Sequence, residues 1–394
     1  MNSLPVEIID YILAYLADVP QKTSNVSLAN LALVSPVLLQ RSRGFFFHSV
    51  SINPDNIEKL SDLLGSPNQT VSKHVRTVRV DGKWTSGESL QQSIAIAIGN
   101  KVDSLSMHNF AFQSLPSDFL SEFSTLTTLE LANTTFISVS QMMGILSGFR
   151  NLQSASLFDI IWNDPSSDTL DTTYPFDVPS SLTKLSLERC YKRDVMGCLL
   201  SLHPPPLIRD LNLGLVSPSD AEAIGKYIAH LGPSLSSLSL GFSSLDAGGD
   251  AEDFYNHCPL SLNTGLESIH FDRLVYMGEY RLTISYPWIA KILSTLCSPL
   301  LTCVCFSIYL PAIDPLSCLF DLYWSELDQV LAQRQGVADL SRFECVRFWL
   351  YFDEELGHGV LDSVIEKIQG HLPLCSQRGI LRFVTRVIEN LGKE

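Results

Sequence analysis

The side chains best suited to chemistry lie in the last third of the 394-residue sequence, at alternating positions of three short apolar segments. Histidine, aspartate and cysteine can bind zinc, whereas an arginine beside a tryptophan is typical of protein-binding hot spots. Because strand alternation alone produces a Cys-x-Cys spacing, we expect no metal site. The side chains at the alternating positions are His270 and Asp272 in the first segment, Cys303 and Cys305 in the second, and Cys345, Arg347 and Trp349 in the third.

The large side chains of this set predict a surface that binds a protein substrate. In earlier segments the corresponding positions hold mostly small polar residues such as Ser104, Ser154 and Ser237, which are typical of a solvated strand face. The alternative is that a C-terminal cap buries Trp349 in the core. The predicted substrate-binding residues are His270, Asp272, Arg347 and Trp349.

No recognised enzyme signature accompanies these residues. The sequence contains no phosphate-binding GxxxxGK[ST], no HExxH and no GxSxG motif. We therefore predict a non-catalytic protein with no catalytic residue, no cofactor and no metal. An enzyme with a hidden cysteine nucleophile remains as an alternative, and its candidates are Cys190, Cys198, Cys258, Cys297, Cys318 and Cys375.

Charge and cysteine content narrow the partners and the compartment. The chain carries 27 Lys and Arg against 42 Asp and Glu, a net charge of −15, and has no basic block for nucleic acid or anionic membrane. Its first residues, MNSLPVEIID, do not resemble a signal peptide, and the nine cysteines form no regular disulfide pattern. We expect a protein of the cytoplasm or nucleus, without nucleic acid or membrane among its partners.

An internal repeat positions the candidate residues. A short segment with apolar residues at positions one, four and six, as in LTTLEL from Leu126 to Leu131, recurs about every 26 residues, with longer spacing near the C-terminus. Each copy predicts a strand whose alternate side chains point into the core. The first positions are Val75, Val102, Leu126, Leu152, Leu182, Ile208, Leu235, Leu266, Leu301 and Phe343, after a leading copy at Phe47.

Helices are predicted between the strands. Ser138 and Ser219 stand where they could cap helices, Gly232 and Pro233 stop one, and Pro287 suits a first turn. Two stretches rich in Ser, Asp, Pro and Gly are instead predicted as loops, Trp162 to Ser180 and Ser243 to Gly265.

This alternation of strand and helix resembles the leucine-rich repeat over roughly residues 47 to 390. The resemblance implies an α/β solenoid, a horseshoe of parallel strands with covering helices. The family usually has Asn or Cys at the ninth position of the repeat, and here only Cys190 matches. We therefore expect no asparagine ladder and an irregular horseshoe.

The first fifty residues form a separate pattern of three short helices. Leu4 to Leu16 is amphipathic, Ser27 to Ser35 follows, and a third helix runs from Pro36 to Gly44. The opening Leu-Pro-x-Glu-Ile-Ile and the later Leu-x-x-Leu-x-x-Val-Ser resemble the F-box family, especially the F-box proteins of mushroom-forming fungi. The later tryptophan of the family is absent, since Leu38 and Leu39 occupy that region.

This resemblance implies two domains, an F-box-like module at 1–48 and the repeat body at 49–394. The order of the two resembles the substrate receptors of SCF-type cullin-RING ubiquitin ligases. It implies that the module binds the adaptor subunit, and through it a cullin, while the repeats bind a protein substrate. The implied adaptor-binding residues are Leu4, Pro5, Ile8, Ile9 and Ile12.

Two other interpretations remain open. The first helix could simply cap the end of the repeats. The chain could also be a repeat scaffold for protein–protein interaction that has no role in ubiquitin transfer.

Overall fold

The structure is a computed structural model that divides the chain into two compact units, Met1–Leu182 and Thr183–Glu394. The domain boundary predicted after residue 48 lies inside the first unit and stays a prediction. The structure describes residues 6–17, 21–66, 71–82, 88–110, 119–162, 177–242, 249–276, 286–310, 315–316, 319, 324–333, 342–353, 356 and 358–388.

Three helices open the described part of the first unit: α1 (Val6–Ala17), α2 (Gln21–Ala32) and α3 (Pro36–Phe46). Their number is as predicted, but α2 begins before the predicted Ser27 and ends before the predicted Ser35. Leu13 of α1 and Leu28 of α2 are buried between them. An ion pair links α1 to α3, with Arg41 Nη1 at 2.6 Å from Asp10 Oδ2. The Ser35 hydroxyl caps α3 by accepting the Leu38 amide at 3.2 Å.

Among the described residues of the first unit, five parallel strands follow and pair in the order of the chain. The elements are β1 (Ser49–Ile52), α4 (Ile57–Gly65), β2 (Thr77–Asp81), α5 (Glu88–Ile98), β3 (Ser104–His108), β4 (Thr128–Phe136), α6 (Val139–Gly148) and β5 (Ser154–Trp162).

In the described ranges of the second unit the same arrangement recurs with seven strands, again parallel and paired in chain order. Its elements are β6 (Lys184–Cys190), α7 (Lys192–Ser201), β7 (Asp210–Val216), α8 (Ala221–Leu231), β8 (Ser237–Phe242), α9 (Gly249–His257), β9 (Ser268–Tyr276), α10 (Tyr286–Ser294), β10 (Cys303–Tyr309), α11 (Trp324–Gln333), β11 (Cys345–Phe352), α12 (His358–His371), α13 (Pro373–Gln377) and β12 (Leu381–Val387).

The predicted α/β class and strand phase are confirmed. In all ten copies the strand starts two residues after the predicted first position, and the residues at positions one, four and six are buried. Leu235, Leu238 and Leu240, for example, have no exposed surface. Alternate residues of a strand point to opposite faces, so positions three, five and seven form what we call the outward face.

Strand β12 is absent from the predicted repeats. Its register with β11 pairs Leu381 with Val346, which is position four of its repeat, so position one of the last repeat is Arg378 and is not apolar. Arg378 Nη1 donates to the carbonyl oxygens of Leu331 and Ala332 at the end of α11, at 3.3 and 2.6 Å. A charged side chain at the end of a helix therefore replaces the usual apolar contact.

The loop predicted over Ser243 to Gly265 is wrong, because α9 occupies part of it. Ala251 and Phe254 lie three residues apart on this helix and are fully buried. Their polar neighbours gave the segment the composition of a loop. Most of the other predicted loop, residues 163–176, lies outside the described residues.

The expectation of no asparagine ladder is also wrong, since a short one exists one position earlier in the repeat. Asn109 Nδ2 donates to Asp81 Oδ1 at 2.8 Å, and Asn133 Nδ2 donates to Asn109 Oδ1 at 3.3 Å. Asn109 and Asn133 have positive φ values of 61° and 50°, a conformation that asparagine tolerates better than most residues. The ladder joins the end of β2, the residue that follows β3 and the interior of β4.

Each helix in the described ranges is too short or too polar to traverse a lipid bilayer.

Candidate functional site

The predicted substrate-binding residues lie on the outward face of β9 and β11, which are separated by β10. Strand register sets Cys305 beside His270 on one side and beside Arg347 on the other, and Arg347 beside Arg382. In the next row, Trp349 lies between Ser307 and Val384. The structure thus brings Arg347 and Trp349 together on β11, with β10 between them and His270.

His270 is held between two serines. Ser239 Oγ lies 3.2 Å from its Nδ1, and Ser307 Oγ lies 2.8 Å from its Nε2. Burial lowers the pKa of His270, against an opposing effect of Asp272. A neutral ring can donate from one nitrogen and accept at the other, so these two contacts satisfy His270.

Asp272 belongs to a polar network beside His270. The Tyr309 hydroxyl lies 3.5 Å from Asp272 Oδ1, and Arg273 Nε lies 3.7 Å from Oδ2. Arg273 also pairs with Glu188 through Nη2 and Oε1, at 2.8 Å. The Tyr309 ring stacks on Tyr351 with centroids 4.6 Å apart. Neither tyrosine was among the predicted binding residues, although each stands at the ninth position of its repeat.

Trp349 is half-buried on the outward face, so the alternative that a cap encloses it in the core is wrong. The guanidinium carbon of Arg386 lies 4.5 Å from the ring centroid, and that of Arg347 lies 6.0 Å away. Both distances fall within the range of a cation–π interaction. The ring therefore lies near two positive charges while part of it stays open to solvent.

Three arginines form a positive patch on β11 and β12, which we call the arginine patch: Arg347, Arg382 and Arg386. Within the described part of the chain, none of the three pairs with a carboxylate. Arg382 Nη1 instead donates to the carbonyl oxygens of Gly379 and Leu381, each at 2.8 Å. The patch is positive on a chain whose net charge is −15.

Three thiols meet on the same face. Cys303 Sγ lies 2.9 Å from Cys345 Sγ and 3.5 Å from Cys305 Sγ. Across the described residues, no group of three or more His, Cys, Asp or Glu side chains is arranged to hold a metal ion.

Most of the cysteines proposed as hidden nucleophiles are buried or half-buried. Burial raises the pKa of Cys190 to about 12 and that of Cys198 to about 11, and it also raises the pKa of Cys258 and Cys375. A raised pKa disfavours the thiolate, which is the nucleophilic form. Cys297 is exposed, and Cys318 lies outside the described residues.

The second candidate surface is on the N-terminal helices. Of the predicted adaptor-binding residues, Ile8 is 46% and Ile12 41% exposed, and Ile9 is half-buried. Leu4 and Pro5 lie outside the described residues. Tyr11 and Tyr15 are also exposed, so α1 presents large side chains at positions 8, 11, 12 and 15, which share one side of a helix. Leu13 faces the other helices instead.

The region where α2 ends and α3 begins adds further exposed apolar residues. Leu33 is 86% exposed, and Val34 and Val37 are also exposed. We call these three, together with Ile8, Tyr11, Ile12 and Tyr15, the apolar helical surface. Large exposed apolar side chains collected in so small a module are typical of a protein interaction site.

No protein-family model matches the chain. No curated protein matches it either. Among solved structures, the chain is similar to the leucine-rich repeat-containing protein LegL7 from Legionella pneumophila, with a TM-score of 0.43 and 14% identity, covering 88% of this chain and 92% of that one.

Proposed function

We propose that this protein is a non-catalytic substrate receptor of an SCF-type cullin-RING ubiquitin ligase. In this proposal the apolar helical surface binds the adaptor subunit, and the outward face of β9 to β12 binds a protein substrate. The observation that carries the proposal is the exposure of Ile8 and Ile12 on a helix that has a separate buried contact through Leu13.

The small core of α1, α2 and α3, which we call the helical module, favours a role for this module in binding a partner. Leu13 and Leu28 are the fully buried apolar side chains of the three helices within the described residues, whereas several larger ones face solvent. Burying a large apolar side chain contributes about 1.5 to 3 kcal/mol. Binding at the apolar helical surface would therefore stabilise the module as well as hold the adaptor.

The arginine patch supports a substrate segment with acidic character. Arg347 and Arg386 lie near the half-exposed ring of Trp349, and aromatic and arginine side chains dominate the energetics of many interfaces. Carboxylates of a partner would meet guanidinium groups that have no ion pair among the described residues. His270 and Asp272 would flank this contact from β9.

The experiment is co-purification of the tagged full-length chain with purified adaptor. Replacing Ile8 and Ile12 with serine together should abolish the interaction and leave the thermal melt unchanged, because both residues are exposed. Ile96→Ser is the matched control, since Ile96 is an exposed isoleucine on α5, outside the helical module. Adaptor binding that survives the double substitution, or is absent from the wild type, would contradict the ligase role.

A repeat scaffold with no role in ubiquitin transfer is the alternative. It needs only the outward face, where Trp349 and the arginine patch could bind a partner without the helical module. A chain that fails to bind the adaptor but still binds a partner sensitive to Trp349→Ala would favour the scaffold.

A further inference from the structure

Cys303, Cys305 and Cys345 form a thiol cluster on the outward face. Cys303 and Cys305 are alternate residues of β10, and Cys345 stands beside Cys303 on β11 in parallel register. Cys303 Sγ is 2.9 Å from Cys345 Sγ and 3.5 Å from Cys305 Sγ. Cys303 is the central thiol, in contact with both of the others.

We propose that this cluster is a redox site in which Cys303 and Cys345 form a reversible disulfide when the protein meets a hydroperoxide, with Cys305 as the thiol that reacts first. The proposal does not depend on the receptor role, because it uses only the three thiols and a small oxidant.

Strand geometry selects the final disulfide. Neighbouring strands lie about 4.8 Å apart, which is within the Cα separation of about 4.4 to 6.8 Å that disulfides adopt. Alternate residues of a single strand are about 6.6 Å apart, near the upper limit of that range. A bond between Cys303 and Cys345 is therefore easier to form across strands than one between Cys303 and Cys305 along β10.

The charges and hydrogen bonds around the cluster select the first thiol. Hydrogen bonding to Cys303 and the positive charge of Arg347 lower the pKa of Cys305 to about 7, although burial acts in the opposite direction. The same hydrogen bond and burial raise the pKa of Cys303. At neutral pH the thiolate is therefore concentrated on Cys305, and the thiolate is the nucleophile.

The reaction then proceeds in three steps. The Cys305 thiolate attacks one peroxide oxygen, an S–O bond forms, the O–O bond breaks, and the leaving hydroxide takes a proton to become water. The Cys303 sulfur attacks the Cys305 sulfenic acid, and a second water leaves as the Cys303–Cys305 disulfide forms. Cys345 then attacks the Cys303 sulfur and releases Cys305, whose low pKa makes it a good leaving group. Overall, two thiols and one molecule of hydrogen peroxide give one disulfide and two molecules of water.

The experiment treats the full-length protein with hydrogen peroxide, blocks the remaining thiols with iodoacetamide and digests the protein with trypsin without a reductant. Cys345 is the single cysteine of the tryptic peptide Phe343–Arg347, whereas Cys297, Cys303, Cys305 and Cys318 share the peptide Ile292–Arg334. We expect mass spectrometry to detect these two peptides joined, and dithiothreitol to separate them.

Three single variants within the cluster, with Cys297→Ser as a control, identify the bond. Cys303→Ser should abolish the link between the two peptides, whereas Cys297→Ser, at an exposed cysteine outside the cluster, should leave it unchanged. Cys305→Ser should slow the formation of the link at pH 7 about tenfold, because an ordinary thiol is only a few per cent ionised there. Cys345→Ser should stop the reaction at a disulfide within the peptide Ile292–Arg334.

Some outcomes would overturn the proposal. These are a wild-type protein with no linked peptides, a link that survives Cys303→Ser, and oxidation that dithiothreitol does not reverse. Thermal melts of the reduced variants check their folding. If Cys303→Ser does not fold, Cys345→Ser decides the question, since loss of the internal Cys303–Cys305 disulfide in that variant would also contradict the mechanism.

Discussion

Phe348 and Trp349 are consecutive residues of β11 with opposite surroundings. Phe348 is fully buried and stacks between Phe306 and Phe383, with centroids 5.3 and 5.6 Å away. Trp349 points to the outward face, where Arg386 lies over its ring. One residue therefore stabilises the core, and the next is available to a partner.

This contrast predicts different effects of two alanine substitutions. Phe348→Ala should lower the free energy of unfolding by about 3 to 5 kcal/mol, because it leaves a cavity between stacked rings. Trp349→Ala should lower it by only about 1 kcal/mol, mainly through the lost cation–π contact. Urea denaturation measures both. Equal losses would mean that Trp349 is a core residue and unavailable for binding.

Two helical glycines predict substitution effects of opposite sign. A Cβ atom at Gly225 of α8 would overlap the backbone carbonyl of His257 at the end of α9, whereas one at Gly197 of α7 would meet no atom within 4 Å. Gly225→Ala should therefore destabilise the protein by about 1 to 3 kcal/mol, as overpacking does. Gly197→Ala should stabilise it by about 0.5 to 1 kcal/mol through helix propensity. Thermal melts would show a lower and a higher midpoint, and shifts in the same direction would contradict the close approach of α8 and α9.

The buried carboxylate of Asp328 should contribute strongly to the stability of the protein. It is 2% exposed and accepts the backbone amides of Leu374 and Cys375, each at 2.9 Å, where α13 begins. Asp328→Ala would leave two amides without an acceptor, at about 1 to 3 kcal/mol each. Asp328→Asn should cost less because its carbonyl oxygen can still accept. Chemical denaturation gives the loss, and Glu326→Ala, at an exposed position of the same helix, should change stability by less than about 0.5 kcal/mol.

His270 predicts a pH dependence of stability. Burial lowers the pKa of His270 from its ordinary value of 6.5, so below that pH the unfolded chain takes up a proton that the folded chain resists. The free energy of unfolding should therefore fall as the pH drops from about 7 to about 5. His270→Gln should flatten this slope in denaturation series across that range. Part of the slope should remain, because burial also lowers the pKa of His74 and His371. An unchanged slope would mean that His270 titrates normally in the folded protein.

The repeat strands were predictable because each depends on three apolar residues within six positions, as at Leu126, Leu129 and Leu131. This signal is local, since burial against neighbouring repeats selects those residue types. Strand β12 lacks this signal at Arg378. In α9 the buried Ala251 and Phe254 stand among polar residues, which gave the segment the composition of a loop. In both places a contact distant in the sequence, to the end of α11 or to α8, replaces the local pattern.

The candidate site was predictable in part. Alternation along the strands placed Arg347 and Trp349 on the outward face. Sequence spacing could not indicate which side chains of neighbouring strands come into contact on that face. The approach of Arg386 to Trp349 and the contact between Cys303 and Cys345 depend on register between strands. The serine partners of His270 depend on it as well. Register follows from the whole stack of repeats and not from any one segment.

Strand β12 pairs with β11 along one edge, and no described strand pairs with its other edge. An open strand edge is a template on which another chain can add, which is a route to aggregation. Arg382 and Arg386 place two positive charges along this strand, and both are exposed. A second copy of β12 approaching this edge would bring like charges together. The arginines therefore also oppose the growth of the sheet from one molecule into the next.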